Sequence, residues 1–292
     1  MKTIVLFNKK SGNGSGEERA QKVRAIWPDK KMVFEDVTAV TDMPAFLAGL
    51  DADDEVLLCG GDGTLNHFAN DIDGVKLTHD VYYYPTGSGN DFWRDLDLDE
   101  NAPPHRINQY LVDLPAVTVK GKTCRFLNGI GYGIDGYCCE EGDRIRATSD
   151  KPINYTSIAI KGLLFHYKPT TATVTVDGKT TVYKKAWLAP TMNGRFFGGG
   201  MMATPGQKRL SNPKKVTSMV MNGAGRLRTL IAFPKIFTGE HVKLKLVHVT
   251  EGDEVSVSFD RPVALQIDSE TILDVSGYTV SVHAPAKEPA TV

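Results

Sequence analysis

The feature that most constrains the fold is the apolar run Val56, Leu57, Leu58, Cys59, which leads directly into the glycine-rich segment GGDGTLN, residues 60–66. The three glycines have no Cβ, so their backbone N–H groups can approach a phosphate closely. Residues 65–72 have a helical pattern, and the N-terminus of a helix favours an anion. The segment therefore predicts a strand, a phosphate-binding turn and a helix.

Asp62 stands inside this glycine-rich segment and needs a separate explanation. A carboxylate beside a phosphate repels it, unless the carboxylate holds Mg²⁺ or accepts a proton. Asp62 is therefore a candidate for metal binding or catalysis, and the Thr64 hydroxyl offers one more polar contact. The alternative is a structural turn in which Asp62 caps a helix, and this cluster alone does not distinguish the two.

Composition defines the broad class of protein. The chain has 292 residues and a formal net charge of −1, so it lacks the surplus of Lys and Arg that marks a nucleic-acid-binding protein. Its length suggests two domains. No segment approaches the ~20 consecutive apolar residues that cross a membrane, and the N-terminal apolar run is too short for a secretory signal. We therefore expect a cytoplasmic protein.

The first part of the chain alternates strand-like and helix-like patterns, which is typical of an α/β domain with a parallel sheet. Ligands of such domains bind at the carboxyl ends of the strands. The predicted strands are 3–7, 31–37, 55–59 and 81–84, and the predicted helices are 17–27, 42–50 and 66–72.

The pattern changes after Pro103 and Pro104. From Ala116 onward, apolar alternation and turn signals predict a β-sandwich with one helical insert at residues 153–166. We place the domains at 1–115 and 116–283, with the tail 284–292 loosely held or packed back on the first domain. The predicted strands are 171–176, 181–190, 242–249, 254–259, 263–268 and 278–283.

Three more loops share the composition of the first. Residues 8–14 follow the first strand and residues 85–92 follow the fourth, so both belong to the edge where ligands bind. A further glycine run spans residues 128–135. The last two runs contain Asp91 and Asp135, for which a role beside Asp62 and simple helix capping both remain open.

The ordered set of motifs resembles the diacylglycerol kinase catalytic family, and in particular the soluble bacterial lipid kinases. A lone GGDGT is shared with NAD kinases, but this set spans nearly the whole chain in the family's order. The motifs are NKKSG, GGDGTLN, PTGSGNDF, NGIGYGID, NGRFFGGGMMATP at residues 193–205, TGEH at 238–241 and ALQIDSE at 264–270.

The resemblance implies a Rossmann-like domain that binds ATP, a β-rich domain that binds lipid, and chemistry in the cleft between them. The implied reaction transfers the γ-phosphoryl group of ATP, with Mg²⁺, to the hydroxyl of diacylglycerol or a related lipid. The implied nucleotide-binding residues are Asn8, Ser11, Gly12, Thr38, Gly60, Gly61, Asp62, Gly63, Thr64, Asn66 and Ser88.

The resemblance also assigns the catalytic residues. Glu270 is implied as the general base, within a motif that reads Asp-Gly-Glu in the family and Asp268-Ser269-Glu270 here. Asp268 and Asp62 complete the implied set, and Asp62 is the possible metal contact through ATP-bound Mg²⁺. Ser269 replaces a glycine, which raises the question whether the turn keeps the family's backbone conformation. Without the resemblance, a solvated turn residue between two strands is the favoured interpretation of Glu270, and the resemblance reverses that preference.

One region departs from the family pattern. Members of the family hold a second, structural Mg²⁺ with an Asp in the region that here spans residues 207–215, which contains no Asp, so we do not expect that site in the same form. Basic residues of this region and beyond suggest a patch that approaches an anionic membrane, although a charge run is more often simply a solvated face. They are Lys208, Arg209, Lys214, Lys215, Arg226 and Arg228.

The expected partner is a lipid substrate at the membrane surface, with peripheral membrane association, no nucleic acid and a homodimer left open. An NAD kinase-like phosphotransferase and a non-catalytic lipid or nucleotide sensor are the alternative functions.

Overall fold

The structure, a computed structural model, describes residues 1–99, 101–148 and 153–286. It divides into two compact units: unit 1 comprises Met1–Leu114 and the segment that begins at Pro285, and unit 2 comprises Pro115–Ala284. The expected packing of the tail concerns mainly residues 287–292, which lie outside the described residues.

Unit 1 is an α/β unit built on a five-stranded sheet in the order β2-β1-β3-β4-β5. The first four strands are parallel, as predicted, and β5 is antiparallel to β4. Every residue of β1 and β3 is buried, as expected for strands in the middle of a sheet. The strands are β1 (Thr3–Phe7), β2 (Met32–Asp36), β3 (Glu55–Gly60), β4 (Val81–Pro85) and β5 (His105–Arg106).

The helices of unit 1 follow the strands. The predicted helix 17–27 is divided into two short helices at Lys22, and the next helix begins after Asp42, whose side chain accepts from the backbone N–H of Ala45 at 2.9 Å. The helices are α1 (Ser11–Gly14), α2 (Gly16–Gln21), α3 (Val23–Ile26), α4 (Met43–Ala48), α5 (Asp62–Asp71) and α6 (Asp91–Asp95), with 3₁₀ turns at Val37–Ala39 and Asn108–Tyr110.

Unit 2 is β-rich, as predicted. Its largest sheet runs β7-β6-β17-β16-β8-β11-β14-β10-β9, and β15 pairs with β14. The strands are β6 (Ala116–Val119), β7 (Lys122–Arg125), β8 (Gly129–Tyr132), β9 (Thr170–Val176), β10 (Lys179–Leu188), β11 (Thr191–Met192), β12 (Phe196–Phe197), β13 (Met201–Met202), β14 (Val216–Asn222), β15 (Val247–Gly252), β16 (Glu254–Ile267) and β17 (Glu270–Ser281).

Strand β16 closes this sheet on itself. Its first half pairs with β9 and its last three residues pair with β8, with a register shift between the halves where it pairs with β17. The enclosed core contains Tyr132 and Phe259, whose rings stack with centroids 3.9 Å apart. Strands predicted separately at 254–259 and 263–268 are therefore one bent strand.

Two predictions for unit 2 were wrong. The strand predicted at 242–249 begins only at Val247, because Glu240–Lys243 forms a 3₁₀ turn. The single helical insert is accompanied by other helical segments. These are α7 (Ile134–Arg146), α8 (Tyr155–Lys161) with a π-helical turn at Gly162–His166, and α9 (Arg226–Ala232) with a 3₁₀ turn at Phe233–Thr238.

Helix α7 was missed because glycine lowers helix propensity, and Gly136 and Gly142 both lie within it. The structure explains Gly136 by close packing. A methyl group at this position would lie 1.9 Å from the carbonyl oxygen of Ala264 on β16. The glycine thus allows the helix backbone to approach the strand that leads to the 268–270 turn.

Candidate active site

The loops at the carboxyl ends of the four parallel strands of unit 1 are joined by side-chain contacts. The Asn8 amide, after β1, donates to the Thr64 hydroxyl, after β3, at 3.0 Å. The Lys9 ammonium lies 2.8 Å from the carboxylate of Asp36 at the end of β2. The structure therefore brings together residues that the sequence placed in separate motifs.

Asp36 holds the expected nucleotide residue Thr38 in place. One carboxylate oxygen accepts from the Thr38 backbone N–H at 3.0 Å and from its hydroxyl at 2.8 Å. Burial alone would raise the Asp36 pKa, but hydrogen bonds from Lys9 and Thr38 outweigh it and lower the pKa to about 2. Asp36 is therefore ionised at neutral pH, and Thr38 is exposed beside it.

The glycine-rich loops after β3 and β4 meet backbone to backbone. A methyl group on Gly87 would lie 2.5 Å from the Cα of Gly61. The Gly60 carbonyl accepts from the Thr86 backbone N–H and from the Tyr83 hydroxyl, both at 2.9 Å. This contact leaves no room for a side chain, which explains why both loops carry glycine here.

Asp62 connects the same two loops. Its carboxylate is buried and accepts from the backbone N–H groups of Asp91 at 2.9 Å and Phe92 at 2.8 Å, the first residues of α6. Asp62 thus caps α6, although it belongs to the first turn of α5.

Three buried polar atoms in these loops have no hydrogen-bond partner in the described structure. They are the hydroxyl oxygens of Ser11 and Thr86 and the side-chain oxygen of Asn90. Buried polar atoms in proteins are normally paired, because an unpaired one costs free energy. Hydroxyls can donate to phosphate oxygens, and an amide oxygen can accept from a ribose or water hydroxyl, so these atoms fit a polar nucleotide.

The other expected nucleotide residues occupy varied positions. Gly12 follows β1 in a left-handed conformation, with φ of 56°. Gly63 and Asn66 belong to α5, where the Asn66 side chain accepts from Asn70. Ser88 is exposed in the loop between β4 and α6.

Sequence reasoning missed Arg19, which lies on α2. Its guanidinium donates to the Thr86 carbonyl at 2.9 Å, and a methyl group on Gly12 would lie 2.9 Å from it. Arg19 therefore brings a positive charge to the loops after β1 and β4. Nothing in the sequence distinguished it from the other charged residues of its helix, whereas Thr86 and Asn90 stood within a motif already recognised.

In unit 2, Asp268 and Ser269 form the two-residue turn between β16 and β17. Ile267 pairs with Glu270 across this turn, and both turn residues are left-handed, with φ of 44° and 84°. The Ser269 N–H donates to the side-chain oxygen of Gln266 at 2.7 Å. Ser269 thus adopts a backbone conformation that glycine favours, which answers the question raised by the sequence.

Asp268 anchors this turn to the loop before β8. Its buried carboxylate accepts from the backbone N–H groups of Leu127, of Asn128 at 2.8 Å and of Gly129 at 2.9 Å. Glu270, two residues later, is exposed as the first residue of β17. Asp268 is therefore suited to positioning the turn, and Glu270 lies at the solvent-exposed side of the hairpin.

Asp135 lies near the same hairpin at the start of α7. Burial raises its pKa to about 7, against the effect of a hydrogen bond with Gln266, and one of its carboxylate oxygens has no hydrogen-bond partner in the described structure. A methyl group on Gly198, in the triple-glycine loop, would lie 3.3 Å from the other oxygen. Because Gln266 hydrogen-bonds to Asp135 and also accepts from the Ser269 N–H, it links Asp135 to the turn that carries Glu270.

Arg209 occupies the region where an Asp was missing. Its buried guanidinium donates to the Leu127 carbonyl and, at 2.9 Å, to the Asn128 side chain, so it holds the loop that Asp268 also holds. The expectation that Arg209 forms part of a basic surface patch was wrong. Within the described ranges, no group of three or more His, Cys, Asp or Glu side chains could hold a metal ion.

An α/β unit with glycine-rich loops at its strand ends, joined to a β-rich unit with an anchored acidic turn, is the fold of the diacylglycerol kinases. The diacylglycerol kinase catalytic domain matches residues 2–116. The YegS C-terminal NAD kinase beta sandwich-like domain matches residues 128–285, more than half of the chain. The chain belongs to the diacylglycerol kinase family of lipid kinases.

Individual relatives are distant. A diacylglycerol kinase of Mycobacterium tuberculosis is 26% identical over 212 residues, which make up 70% of this chain and 66% of that protein. YtlR of Bacillus subtilis is 22% identical over 240 residues, 74% of this chain and 73% of that protein. The crystal structure of a diacylglycerol kinase from Bacillus anthracis has a TM-score of 0.60 and 17% identity, over 96% of this chain and 94% of that one, and it shares the fold.

Proposed function

We propose that this protein is an ATP-dependent lipid kinase that phosphorylates the hydroxyl of diacylglycerol or a related lipid. The observation that carries the proposal is the close contact of Gly61 with Gly87, flanked by the buried, unpaired hydroxyls of Ser11 and Thr86. Glycine backbone and unpaired hydroxyl donors in strand-end loops suit a polyphosphate. The family of the chain and the name of its mycobacterial relative favour a lipid as the acceptor.

In this proposal, ATP lies at the carboxyl edge of the parallel sheet. Asn8, Ser11 and Thr86 contact its phosphates with side chains, and the glycines after β3 contact them with backbone N–H groups. Arg19 adds positive charge next to the phosphates. Mg²⁺ would come with ATP and neutralise its charge, with Asp62 as the protein carboxylate near it, since Mg²⁺ often binds through phosphates, waters and one or two carboxylates.

Unit 2 supplies the acceptor side of the reaction. Glu270 accepts the proton of the lipid hydroxyl as the hydroxyl oxygen bonds to the γ-phosphorus, and the bond from that phosphorus to the bridging oxygen breaks. The products are ADP and a lipid phosphate, and Glu270 then releases its proton to water. Asp268 contributes by fixing the turn and does not exchange a proton.

Diacylglycerol is dissolved in the membrane, so we propose that the protein is a cytoplasmic enzyme that binds to the bilayer surface. Among the described residues, no helix is long and apolar enough to cross a membrane. Because the proposed acceptor is a membrane lipid, we propose peripheral association, with the lipid reached from the bilayer surface.

The test is transfer of the γ-phosphoryl label of ATP to a panel of acceptors: diacylglycerol, monoacylglycerol, ceramide, sphingosine and NAD. Label in a lipid, with none in NAD, is the expected result. Label in NAD alone would replace the proposal with an NAD kinase. Lipid binding without label in any acceptor would overturn the enzymatic role in favour of a sensor.

A further inference from the structure

Helix α9 and the π-helical turn at Gly162–His166 carry large apolar side chains that face solvent. Leu227 and Ile231 are 68% and 67% exposed, and Phe165 is 72% exposed. Leu227 and Ile231 are four residues apart, so they lie on the same side of α9. An exposed apolar cluster of this kind marks an interaction surface more often than an isolated exposed Leu does.

The two elements form one surface. The Arg226 guanidinium, at the start of α9, donates to the Leu163 carbonyl of the π-helical turn at 2.7 Å. On the opposite side of α9, Thr229 and Ala232 are buried. Burial of that side fixes the orientation of the helix, so Leu227 and Ile231 face outward.

Positive charge surrounds these apolar side chains. Residues 153–168 and 226–246 contain seven Lys or Arg and one acidic residue, Glu240, although the whole chain has a net charge of −1. A groove beside Ile231 is lined by four of these cations, Arg228, Lys235, Lys243 and Lys245. We call the α9 face the surface formed by Phe165, Leu227, Ile231 and these four cations.

We propose that the α9 face docks onto an anionic phospholipid bilayer. Apolar side chains flanked by Lys and Arg are typical of segments that lie in the membrane interface, where the apolar groups enter the acyl boundary and the cations contact lipid phosphates. A second copy of this chain is a poorer occupant, because two identical cationic faces would place like charges against each other.

The docking rests on the proposed function in one respect: the proposed function gives the reason for docking, which is to bring unit 2 to its lipid substrate. The binding itself needs neither ATP nor catalysis. Failure of docking and failure of the kinase activity can therefore be told apart by measuring vesicle binding and phosphorylation separately.

The experiment is co-sedimentation of the full chain with phosphatidylcholine vesicles, with and without phosphatidylglycerol. The wild type is expected to bind the anionic vesicles and to release them at high salt. Leu227→Ser with Ile231→Ser is expected to lower the partition coefficient by roughly tenfold or more. Arg228→Glu with Lys235→Glu is expected to lower it by at least about fivefold for each cation removed.

The matched control is Val182→Ser with Leu273→Ser, because these side chains are also half-exposed or more but belong to β10 and β17. The control is expected to bind vesicles like the wild type. Phosphorylation of a short-chain, water-soluble diacylglycerol is expected to be unchanged in the α9 variants, which would show that they fold.

Three outcomes would overturn the proposal. They are equal binding to neutral and anionic vesicles, wild-type binding by both α9 variants, and no vesicle binding at all. A wild type that is dimeric in sedimentation velocity, with a monomeric Leu227→Ser, Ile231→Ser variant and no vesicle binding, would assign the α9 face to self-association instead.

Discussion

Asp62 Oδ1 lies 2.8 Å from the backbone nitrogen of Phe92, across the gap between two glycine-rich loops. Asp62, the acidic residue within the glycine-rich segment that suggested a phosphate site, thus also fixes the distance between the loops after β3 and β4. Its structural role and its proposed place near ATP use the same carboxylate, so substitution should affect both stability and nucleotide binding.

Asp62→Ala is expected to lower the free energy of unfolding by about 1–3 kcal/mol, because it leaves the N–H groups of Asp91 and Phe92 without their buried acceptor. It is also expected to weaken ATP binding. Urea unfolding and calorimetric titration with ATP measure the two effects. Asp53→Ala, at an exposed carboxylate, is the control, and an Asp62→Ala variant that matched it in both measurements would refute the role assigned to Asp62.

Gly87→Ala is expected to abolish ATP binding while the β-rich unit 2 still folds. The added methyl group would lie 2.5 Å from the Gly61 Cα, so the two loops must separate. Gly49→Ala is the matched control, since its methyl group would meet nothing nearer than 3.5 Å. Calorimetric titration measures the ATP affinity of both variants. Wild-type affinity in Gly87→Ala would show that the contact between Gly61 and Gly87 is not needed for ATP binding.

Ser269→Gly is expected to stabilise the protein by roughly 0.5 kcal/mol. A left-handed residue with a side chain costs about 1–2 kcal/mol, and the extra flexibility of glycine in the unfolded chain returns part of this gain. Ser269→Val should destabilise instead, because a β-branched residue strongly disfavours the observed φ of 84°. Thermal unfolding of both variants checks the prediction, which fails if they shift in the same direction.

Asp135→Asn is expected to change how stability depends on pH. Burial raises the folded-state pKa of Asp135 to about 7, well above its unfolded value, so the folded wild type binds the proton more tightly. Wild-type stability therefore falls as pH rises from about 4 to about 7, by a few kcal/mol from this group. Asn cannot ionise, so the variant should lack this loss. Parallel stability curves for the two proteins would contradict the prediction.

Much of the fold could be predicted from the sequence, because the central strands of unit 1 are continuous apolar runs and each ends in a glycine-rich turn. Helix α7 could not, since its glycines are required by packing against a strand more than 100 residues away in the chain, as the contact of Gly136 with Ala264 shows. The local sequence of α7 does not indicate which distant strand packs against it.

The candidate site could be predicted only in part. The motifs identified the loops, but not the hydrogen bonds between them, because Asp62 and Phe92 are 30 residues apart and only the fold brings them together. The prediction that Arg209 belongs to a basic surface patch was wrong. Arg is usually exposed, but here the guanidinium is buried because it donates to the Leu127 carbonyl and the Asn128 side-chain oxygen. The nucleotide contacts, the lipid acceptor and a homodimer stay predictions.

The central claim is that Glu270 accepts the proton of a lipid hydroxyl during phosphoryl transfer from ATP. The most direct test is single-turnover transfer of the γ-phosphoryl label to diacylglycerol by Glu270→Gln, with Asp274→Asn, an exposed carboxylate on the same strand, as the control. The account predicts a rate about 10²–10⁴ times lower for Glu270→Gln, with unchanged ATP affinity, and a wild-type rate for Asp274→Asn. Transfer at the wild-type rate by Glu270→Gln would contradict it.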